Sequence, residues 1–273
     1  MSTAVDVPRA TYGGLLGSEI RRLLHRRVVR WLAVFAVAQY LLVNVIVWLN
    51  HDKAGSGHPA YRLGDAGGGA VGVGVGVAIL MFVVGTTYAG AEWSQRTIVA
   101  LLFWEPRRGR VISAKVLVAA AAAVTVTVVS QVVWLATAYV LAATKGVTTL
   151  PSGFWANLLD RQLRVLIFTV LVTWLGFGIA NLVRNSAASL GVGFVYFVIV
   201  ESVVQAFWTW ATPYLLTHNA IALLSPGGWD IPARDPSRSP VHLSSLHGGL
   251  VWGTASLAIL AVGTVVFSRS DAA

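Results

Sequence analysis

The sequence predicts an all-α fold, a polytopic membrane protein whose single transmembrane domain takes up residues 1–273. Three observations lead to this prediction. The chain is 56% hydrophobic and only 11% charged, its mean hydropathy is +0.71, and polar stretches rich in Arg separate its long apolar segments. This composition is too apolar for a soluble domain that buries one core.

Six apolar segments are long enough to cross a bilayer. Lipid offers the backbone no hydrogen-bond partners, so each crossing is expected to be a helix of about 20 apolar residues. The predicted spans are residues 31–49, 69–90, 111–143, 163–183, 187–207 and 249–267.

Residues 1–30 precede the first span and contain an amphipathic stretch. One predicted helical face is apolar, and the acidic and basic positions Glu19, Arg22 and Arg26 belong to the same stretch. The apolar face comprises Leu16, Ile20, Leu23 and Leu24. This pattern is typical of a helix that lies in the membrane interface. A simple positively charged anchor explains the arginines equally well.

The second span begins with glycines at a regular spacing. Gly68, Gly72 and Gly76 recur every four residues, which permits close contact between helices in lipid. No Gly-Lys-Ser or Gly-Lys-Thr follows the run, so it lacks the lysine of a phosphate-binding loop. We expect the stripe to pack against a helix of the same chain or of a partner chain.

A cationic island, AEWSQRTIVALLFWEPRRGRVISAK, separates the second span from the third at residues 91–115. Glu92 ends one span, and Pro106 stops the short amphipathic run that follows, because proline cannot continue a helix. Arg107 and Arg108 then precede re-entry into the membrane near Lys115. The sequence predicts a small rigid projection on the cytoplasmic side.

This island resembles the signature of type 2 ABC transporter permeases. The matching positions are Glu92, Thr97, Leu101, Leu102, Pro106, Arg107, Arg108 and Lys115, whereas Arg96 stands where a small residue is usual. The resemblance implies that the island, including Ile98, forms a coupling helix docked in a groove of a separate ATPase subunit. It also implies an interfacial connecting helix that carries an acid, here Glu19.

The same resemblance implies the function of an exporter permease. A second permease copy would complete a homodimer or heterodimer, and hydrophobic drugs, peptides, lipids or polysaccharide precursors would be exported. ATP and Mg²⁺ would bind to the partner ATPase, since this chain has no phosphate-binding lysine motif of its own. No cofactor is expected in this chain itself.

Polar residues inside the spans are candidates for function because they are costly in lipid. Glu201 lies in the fifth span, and Arg164 or Arg161 at the outer end of the fourth is its expected partner. Such a pair could close a transport pathway or simply fix two helices. Gln131 and Asn181 are expected to hydrogen-bond between helices.

The longest predicted outer segment is residues 208–248. Its first half has helix-like apolar spacing, and its second half is rich in Pro and Ser. We predict short interfacial or re-entrant helices followed by an ordered loop.

Charge predicts the topology. With the N-terminus inside, 13 of the 20 Lys and Arg residues lie on the cytoplasmic side, so both termini are expected there. The net charge of +9 could suggest nucleic acid, but the basic residues flank apolar spans and form no separate globular surface. Usage rich in Ala, Val, Gly and Arg indicates a high-GC bacterium, whose plasma membrane is the expected location, and no cleaved signal peptide is expected.

Two other functions compete with transport. An intramembrane enzyme would need a nucleophile with a base, or metal ligands, at matching depth. The chain has no cysteine, its histidines are scattered, and His-Glu-x-x-His is absent, so no metal site is expected. A membrane sensor or assembly factor that uses the same ATPase-docking island stays an open alternative.

Overall fold

A computed structural model describes residues 11–51, 61–95, 107–232 and 239–269. Nine α-helices form the described part of the chain. Their bounds are α1 Tyr12–His25, α2 Arg27–His51, α3 Ala66–Ser94, α4 Arg108–Lys145, α5 Phe154–Val183, α6 Ser186–Phe194, α7 Glu201–Phe207, α8 Leu216–Leu224 and α9 Ser245–Arg269. A π-helical stretch, Val195–Val200, joins α6 to α7, and short 3₁₀ turns cover Leu63–Asp65 and Thr209–Tyr214.

Six helical segments are long and apolar enough to cross a membrane. They are Arg27–Asn50, Leu63–Ser94, Arg108–Lys145, Phe154–Val183, Ser186–Phe207 and Ser245–Arg269. Each contains one predicted span, which confirms the all-α polytopic fold. The fourth span, helix α5, begins at Phe154, well before the predicted residue 163. Its first turns contain Asp160, Arg161 and Arg164. These charged residues lower the local hydropathy, so a prediction from hydropathy placed the start of the helix too late.

Two short strand pairs cap the helices. Strand β1 (Tyr61–Arg62) pairs in parallel with β2 (Gly146–Val147), which ties the chain before α3 to the end of α4. Strand β3 (Trp229–Ile231) pairs antiparallel with β4 (Val241–Leu243), with Trp229 opposite Leu243. The predicted ordered loop therefore contains a hairpin. Its alternation was too short to be seen beside the prolines and serines of this stretch.

Glycines set the closest contacts between spans. A Cβ at Gly85 of α3 would meet the backbone oxygen of Thr173, and one at Gly176 of α5 would lie 2.7 Å from the Phe82 oxygen. A Cβ at Gly263 of α9 would lie 2.8 Å from the Gly178 oxygen in α5. The backbones of α3, α5 and α9 therefore touch directly, and α5 lies between the other two helices.

The predicted glycine stripe is not what brings these helices together. A Cβ at Gly72 would meet nothing within 4 Å, and one at Gly68 would reach only an Arg161 side-chain nitrogen at 4.0 Å. Gly76 faces the Gln39 side chain of α2. The backbone contact with α5 lies further along α3, at Gly85. Packing of the stripe against a partner chain stays a prediction.

Candidate functional site

Three helices meet at a buried cluster of charged side chains, which we call the ionic cluster and define as Glu19, Arg22, Arg26, Glu92 and Lys115. Helix α1 supplies Glu19 and Arg22, Arg26 lies between α1 and α2, α3 supplies Glu92, and α4 supplies Lys115. Glu19 is fully buried, and Lys115 and Glu92 are 2% and 3% exposed. An unpaired charge at this depth would be strongly destabilising, so mutual pairing is a condition of the fold.

Helix α1 buries Glu19 together with apolar residues. Thr11 caps the helix, its Oγ1 accepting a hydrogen bond from the Gly14 N–H at 3.2 Å. The buried positions are Leu15, Glu19 and Leu23, four residues apart on one face. The predicted apolar residues Ile20 and Leu24 lie on the protein surface, where the apolar face of an interfacial helix would meet lipid, and this location in the membrane interface stays a prediction. The buried face shares Leu23 with the predicted apolar face and includes Glu19, which points inward towards Lys115.

Lys115 bridges the two carboxylates. Its Nζ donates to Glu19 Oε2 at 2.7 Å and to Glu92 Oε1 at 2.6 Å. Charge-assisted hydrogen bonds of this length are among the stronger polar contacts in proteins. Lys115 lies two turns into α4 and Glu92 close to the end of α3, so one ammonium group joins the helices on either side of the cationic island.

Tyr88 completes the buried side of the ionic cluster. It precedes Glu92 by one turn of α3, and its hydroxyl donates to Glu19 Oε2 at 2.7 Å. The Lys115 Nζ lies 5.0 Å from the centre of the Tyr88 ring, within cation–π range. Tyr88 therefore stabilises both Glu19, through a hydrogen bond, and Lys115, through a cation–π contact.

Arg22 and Arg26 form the more exposed edge. Arg22 lies 3.1 Å from Glu19 Oε1 and 3.6 Å from Glu92 Oε1. Arg26 lies 3.6 Å from Glu92 Oε1, and it donates to the Thr87 carbonyl oxygen at 2.8 Å. Three cations thus surround two carboxylates, and each carboxylate contacts both Lys115 and an arginine.

The cluster shifts the ionisation of Glu19. Burial raises the pKa of this carboxyl, but the charge of Lys115, hydrogen bonds from Lys115 and Tyr88, and the charge of Arg22 lower it by more. The net pKa lies below the ordinary 4.5. Glu19 is therefore an anion at neutral pH despite its burial.

This shift predicts a pH dependence of stability. Because the pKa of Glu19 is lower in the folded chain, its contribution is fully present above about pH 4.5 and is lost as the pH falls through the folded value. We expect the difference in unfolding temperature between wild type and Glu19→Gln to be constant from pH 7 to 5 and to shrink below 4.5. Thermal unfolding in detergent measures it. A difference that grows on acidification would contradict the assignment.

Only the ends of the predicted coupling loop lie within the described residues. Thr97, Ile98, Leu101, Leu102 and Pro106 lie outside them. Arg107 precedes α4 as its N-cap residue, and the Arg108 Nη1 donates to the Ser268 carbonyl oxygen at 3.3 Å. Since Ser268 is near the end of α9, the island is tied to the last span as well.

Asn181 and Gln131 make contacts of the predicted kind. The Trp93 Nε1 of α3 donates to Asn181 Oδ1 in α5 at 3.4 Å, and the Gln131 Nε2 of α4 donates to the Gln162 carbonyl oxygen in α5 at 3.2 Å. The Arg184 guanidinium lies 4.8 Å from the centre of the Trp93 ring. Trp93 adjoins Glu92, so its contacts with Asn181 and Arg184 connect the region of the ionic cluster to the end of α5.

Glu201 does not pair with Arg164, one of its two predicted partners, which corrects that part of the prediction. Glu201 accepts hydrogen bonds from the N–H groups of Leu216 at 2.8 Å and Thr217 at 3.1 Å, at the start of α8. Arg164 donates to Asp160 at 2.8 Å and to the Leu223 carbonyl oxygen, near the end of α8, at 3.1 Å. Helix α8 lies between the two charges. Each binds the helix end of opposite polarity.

The sequence argument missed the partnership of Lys115, Tyr88 and Glu19. The sequence does indicate that both charges need buried partners. Lys115 lies seven residues inside an apolar helix, and Glu19 lies between Leu15 and Leu23. Nothing in the sequence pairs them, since Glu19 and Lys115 are 96 residues apart. Among the described residues, no group of three or more His, Asp or Glu could hold a metal ion.

Comparison with known proteins identifies the family. The family model described as ABC-2 family transporter protein matches residues 15–200. That range includes Glu19, the cationic island, Lys115 and the first four spans complete. No curated protein matches the chain. Six apolar spans, the island between the second and third, and the family match over more than half of the chain agree: this chain belongs to the ABC-2 transporter family, as a multi-pass membrane permease subunit.

Proposed function

We propose that the chain is an exporter permease, coupled through residues 91–115 to a separate ABC ATPase that binds ATP and Mg²⁺. A second permease copy completes the pathway, in a bacterial plasma membrane with both termini in the cytoplasm. The substrate is hydrophobic or amphipathic. The observation that best supports the coupling role is the Lys115 bridge between Glu19 and Glu92.

The ionic cluster suits force transmission because it is placed where the island leaves the membrane body. Glu92 lies near the end of α3, where the chain enters the island, and Lys115 lies seven residues into α4, where the chain leaves it. A load on the island would therefore reach α3 and α4 together. Glu19 passes the same load to α1, and Arg108 passes it to the end of α9.

Buried pairing makes this junction stiff. Lys115 and both carboxylates are almost inaccessible, so separating them would expose unpaired charges to an apolar interior. The junction is therefore expected to move as one body when the ATPase subunits close. Relative motion is then left to α2 and residues 186–207, the two spans that are least buried inside the protein.

The dimer and the direction of transport have weaker support. The exposed faces of α2 and of the fifth span carry large apolar side chains that either lipid or a second copy can cover. Gly68 and Gly72 are open on α3 and leave room for a close helix contact. Export follows the family precedent, and the orientation follows the excess of cationic residues in residues 1–30 and 91–115.

Glu92→Gln is expected to uncouple ATP hydrolysis from transport. Glutamine keeps the size of the side chain and can accept a hydrogen bond from Lys115, while Lys115 keeps its ion pair with Glu19, so the fold is retained. Loss of the Glu92 charge weakens the contact between α3 and α4. We expect about tenfold less transport per ATP hydrolysed, a factor typical of coupling between two sites. The measurement is ATP-driven accumulation of a lipophilic fluorescent dye in inside-out vesicles, with ATPase activity recorded in parallel.

Asp65→Asn is the matched control, since Asp65 is an exposed carboxylate at the opposite end of α3. Assembly is monitored by a Leu101→Cys crosslink to the ATPase, which is specific because the chain has no other cysteine. Wild-type transport in Glu92→Gln would remove Glu92 from the coupling path. If single cysteines throughout residues 95–107 gave no crosslink with both proteins present, and no dye accumulated, the sensor function would replace the transporter.

A further inference from the structure

An apolar cavity of about 520 Å³ lies among α3, α5, α8, α9 and the fifth span. It is separate from the ionic cluster: the cavity is lined by residues in the middle of α3, whereas Glu92 lies near the end of that helix. Its walls include Ala78 and Phe82 of α3, Phe168 of α5, Phe197 of the π-helical stretch and Trp252 of α9. The volume falls within the range of about 300–1,000 Å³ typical of small-molecule sites.

The walls of this cavity offer almost no hydrogen bonds. Among the described residues that line it, Thr217 alone carries a hydroxyl group. Trp252 has one polar atom, and its Nε1 already donates to the Leu216 carbonyl oxygen at 2.8 Å. The Trp252 ring packs edge-on against Phe168 and stacks with Phe197, at centroid distances of 4.9 and 6.1 Å. Water has too few partners here, so the chemistry favours an apolar occupant.

The mouth of the cavity is on the membrane-facing surface. Ile79, Phe194 and Val198 line the cavity and are also 60%, 62% and 50% exposed. All three belong to membrane-spanning segments, Ile79 to the second and the other two to the fifth. The surface around the opening therefore faces hydrocarbon, which makes the cavity continuous with the acyl region of the bilayer.

Helix α8 forms one wall and is held by charge at both ends. Ala220, Ile221 and Leu224 of this helix line the cavity. Glu201 binds its first N–H groups and Arg164 binds the Leu223 carbonyl oxygen, so a nine-residue helix keeps its place against the apolar space. The cavity thus has a fixed wall on this side and an opening towards lipid between α3 and the fifth span.

We infer that this cavity binds an acyl chain of a bilayer phospholipid. The occupant is a lipid tail because the walls are apolar and aromatic, the mouth opens between membrane spans, and the medium at that mouth is the bilayer itself. This site goes beyond the proposed function: acyl-chain binding requires the fold but neither the ATPase nor transport. A failure of the lipid site would therefore leave the coupling proposal intact, and the reverse holds as well.

Photolabelling tests the inference directly. The full chain is reconstituted in nanodiscs of phosphatidylethanolamine and phosphatidylglycerol, with a fraction of the phosphatidylglycerol carrying a diazirine in one acyl chain. After irradiation, labelled residues are identified by peptide mass spectrometry. We expect labels on Phe168 or Trp252, which are 6% and 2% exposed and out of reach of lipids at the outer surface. Labels on exposed residues alone would overturn the inference.

Two variants and a control separate cavity binding from general lipid contact. Ala220→Phe fills the space from the α8 wall, and Ile79→Trp narrows the mouth at an exposed position that leaves the core unchanged. Each should reduce labelling of Phe168 and Trp252 at least fivefold. Val262→Phe enlarges a side chain that is 54% exposed on α9 and outside the cavity, and it should leave the labelling unchanged.

Two further outcomes would contradict the proposal. Undiminished labelling in both Ala220→Phe and Ile79→Trp would show that the probe reaches these residues by another route. Chain-to-chain crosslinks from a photoreactive residue placed at Ile79, with Trp252 unlabelled by lipid, would show that a second copy covers the mouth instead of a lipid.

Discussion

Lys115→Met is expected to destabilise the folded chain by about 3–5 kcal/mol, the range for removing one partner of a buried ion pair. Methionine fills similar space, so the loss comes from the two carboxylates. Glu19 and Glu92 would remain buried without the ammonium that bridges them at 2.7 and 2.6 Å. The arginines would compensate only in part, because they contact the carboxylates from the exposed edge, Arg22 at 3.1 Å from Glu19 and both arginines at 3.6 Å from Glu92. The measurement is the unfolding temperature of the purified chain in detergent.

Two comparisons test whether unpaired charge is the cause. The triple variant Glu19→Gln, Glu92→Gln, Lys115→Met removes all three buried charges and should recover most of the lost stability. Arg22→Met removes a cation whose side chain is 40% exposed, and it should change stability by no more than about 1 kcal/mol. A triple variant as unstable as Lys115→Met would assign the loss to packing instead of charge.

Gly85→Ala is expected to destabilise the chain by about 3 kcal/mol, at the upper end of overpacking costs. The added methyl group would meet the Thr173 backbone oxygen and would lie 3.2 Å from the Phe177 nitrogen in α5. Both atoms belong to the backbone of a helix, so no side-chain rotation relieves the contact. Helices α3 and α5 must separate, and the contacts between them are lost. Thermal unfolding in detergent measures the effect.

Gly253→Ala is the matched control. A Cβ at Gly253 of α9 would meet nothing within 4 Å, and alanine favours a helix over glycine by about 0.5–1 kcal/mol. We therefore expect an unchanged or slightly higher unfolding temperature for this variant. If Gly85→Ala were as stable as Gly253→Ala, the spacing between α3 and α5 would not depend on the absence of a side chain at Gly85.

The membrane fold was predictable from hydropathy because lipid cannot hydrogen-bond to the backbone, so each apolar segment that crosses the bilayer is expected to be a helix. Any segment of about 20 apolar residues in a bilayer must satisfy its own hydrogen bonds, and the helix does so locally. All six predicted spans lie inside observed helices for this reason. The early start of α5 was not predicted, because Arg164 and its charged neighbours give the first turns of this helix the low hydropathy of a loop.

The partners of buried charges were not predictable from composition or spacing. A lone Glu201 in a span suggested an ion pair with Arg164, yet the structure places the ends of α8 between them. Backbone N–H groups at a helix start can satisfy a carboxylate as a cation does, and their availability depends on where the helix lies. The same limit applies to Glu19, whose partner is 96 residues away.

The sequence by itself determined the number of spans, the position of the cationic island and the resemblance to the transporter family, because these depend on local hydropathy and on motifs along the chain. Only the tertiary structure decided which charges meet. It placed Lys115 between Glu19 and Glu92, put α8 between Glu201 and Arg164, and moved the close helix contact from the glycine stripe to Gly85. These outcomes depend on how helices distant in sequence pack, since a buried charge is stabilised by the partner that packing brings within about 3 Å.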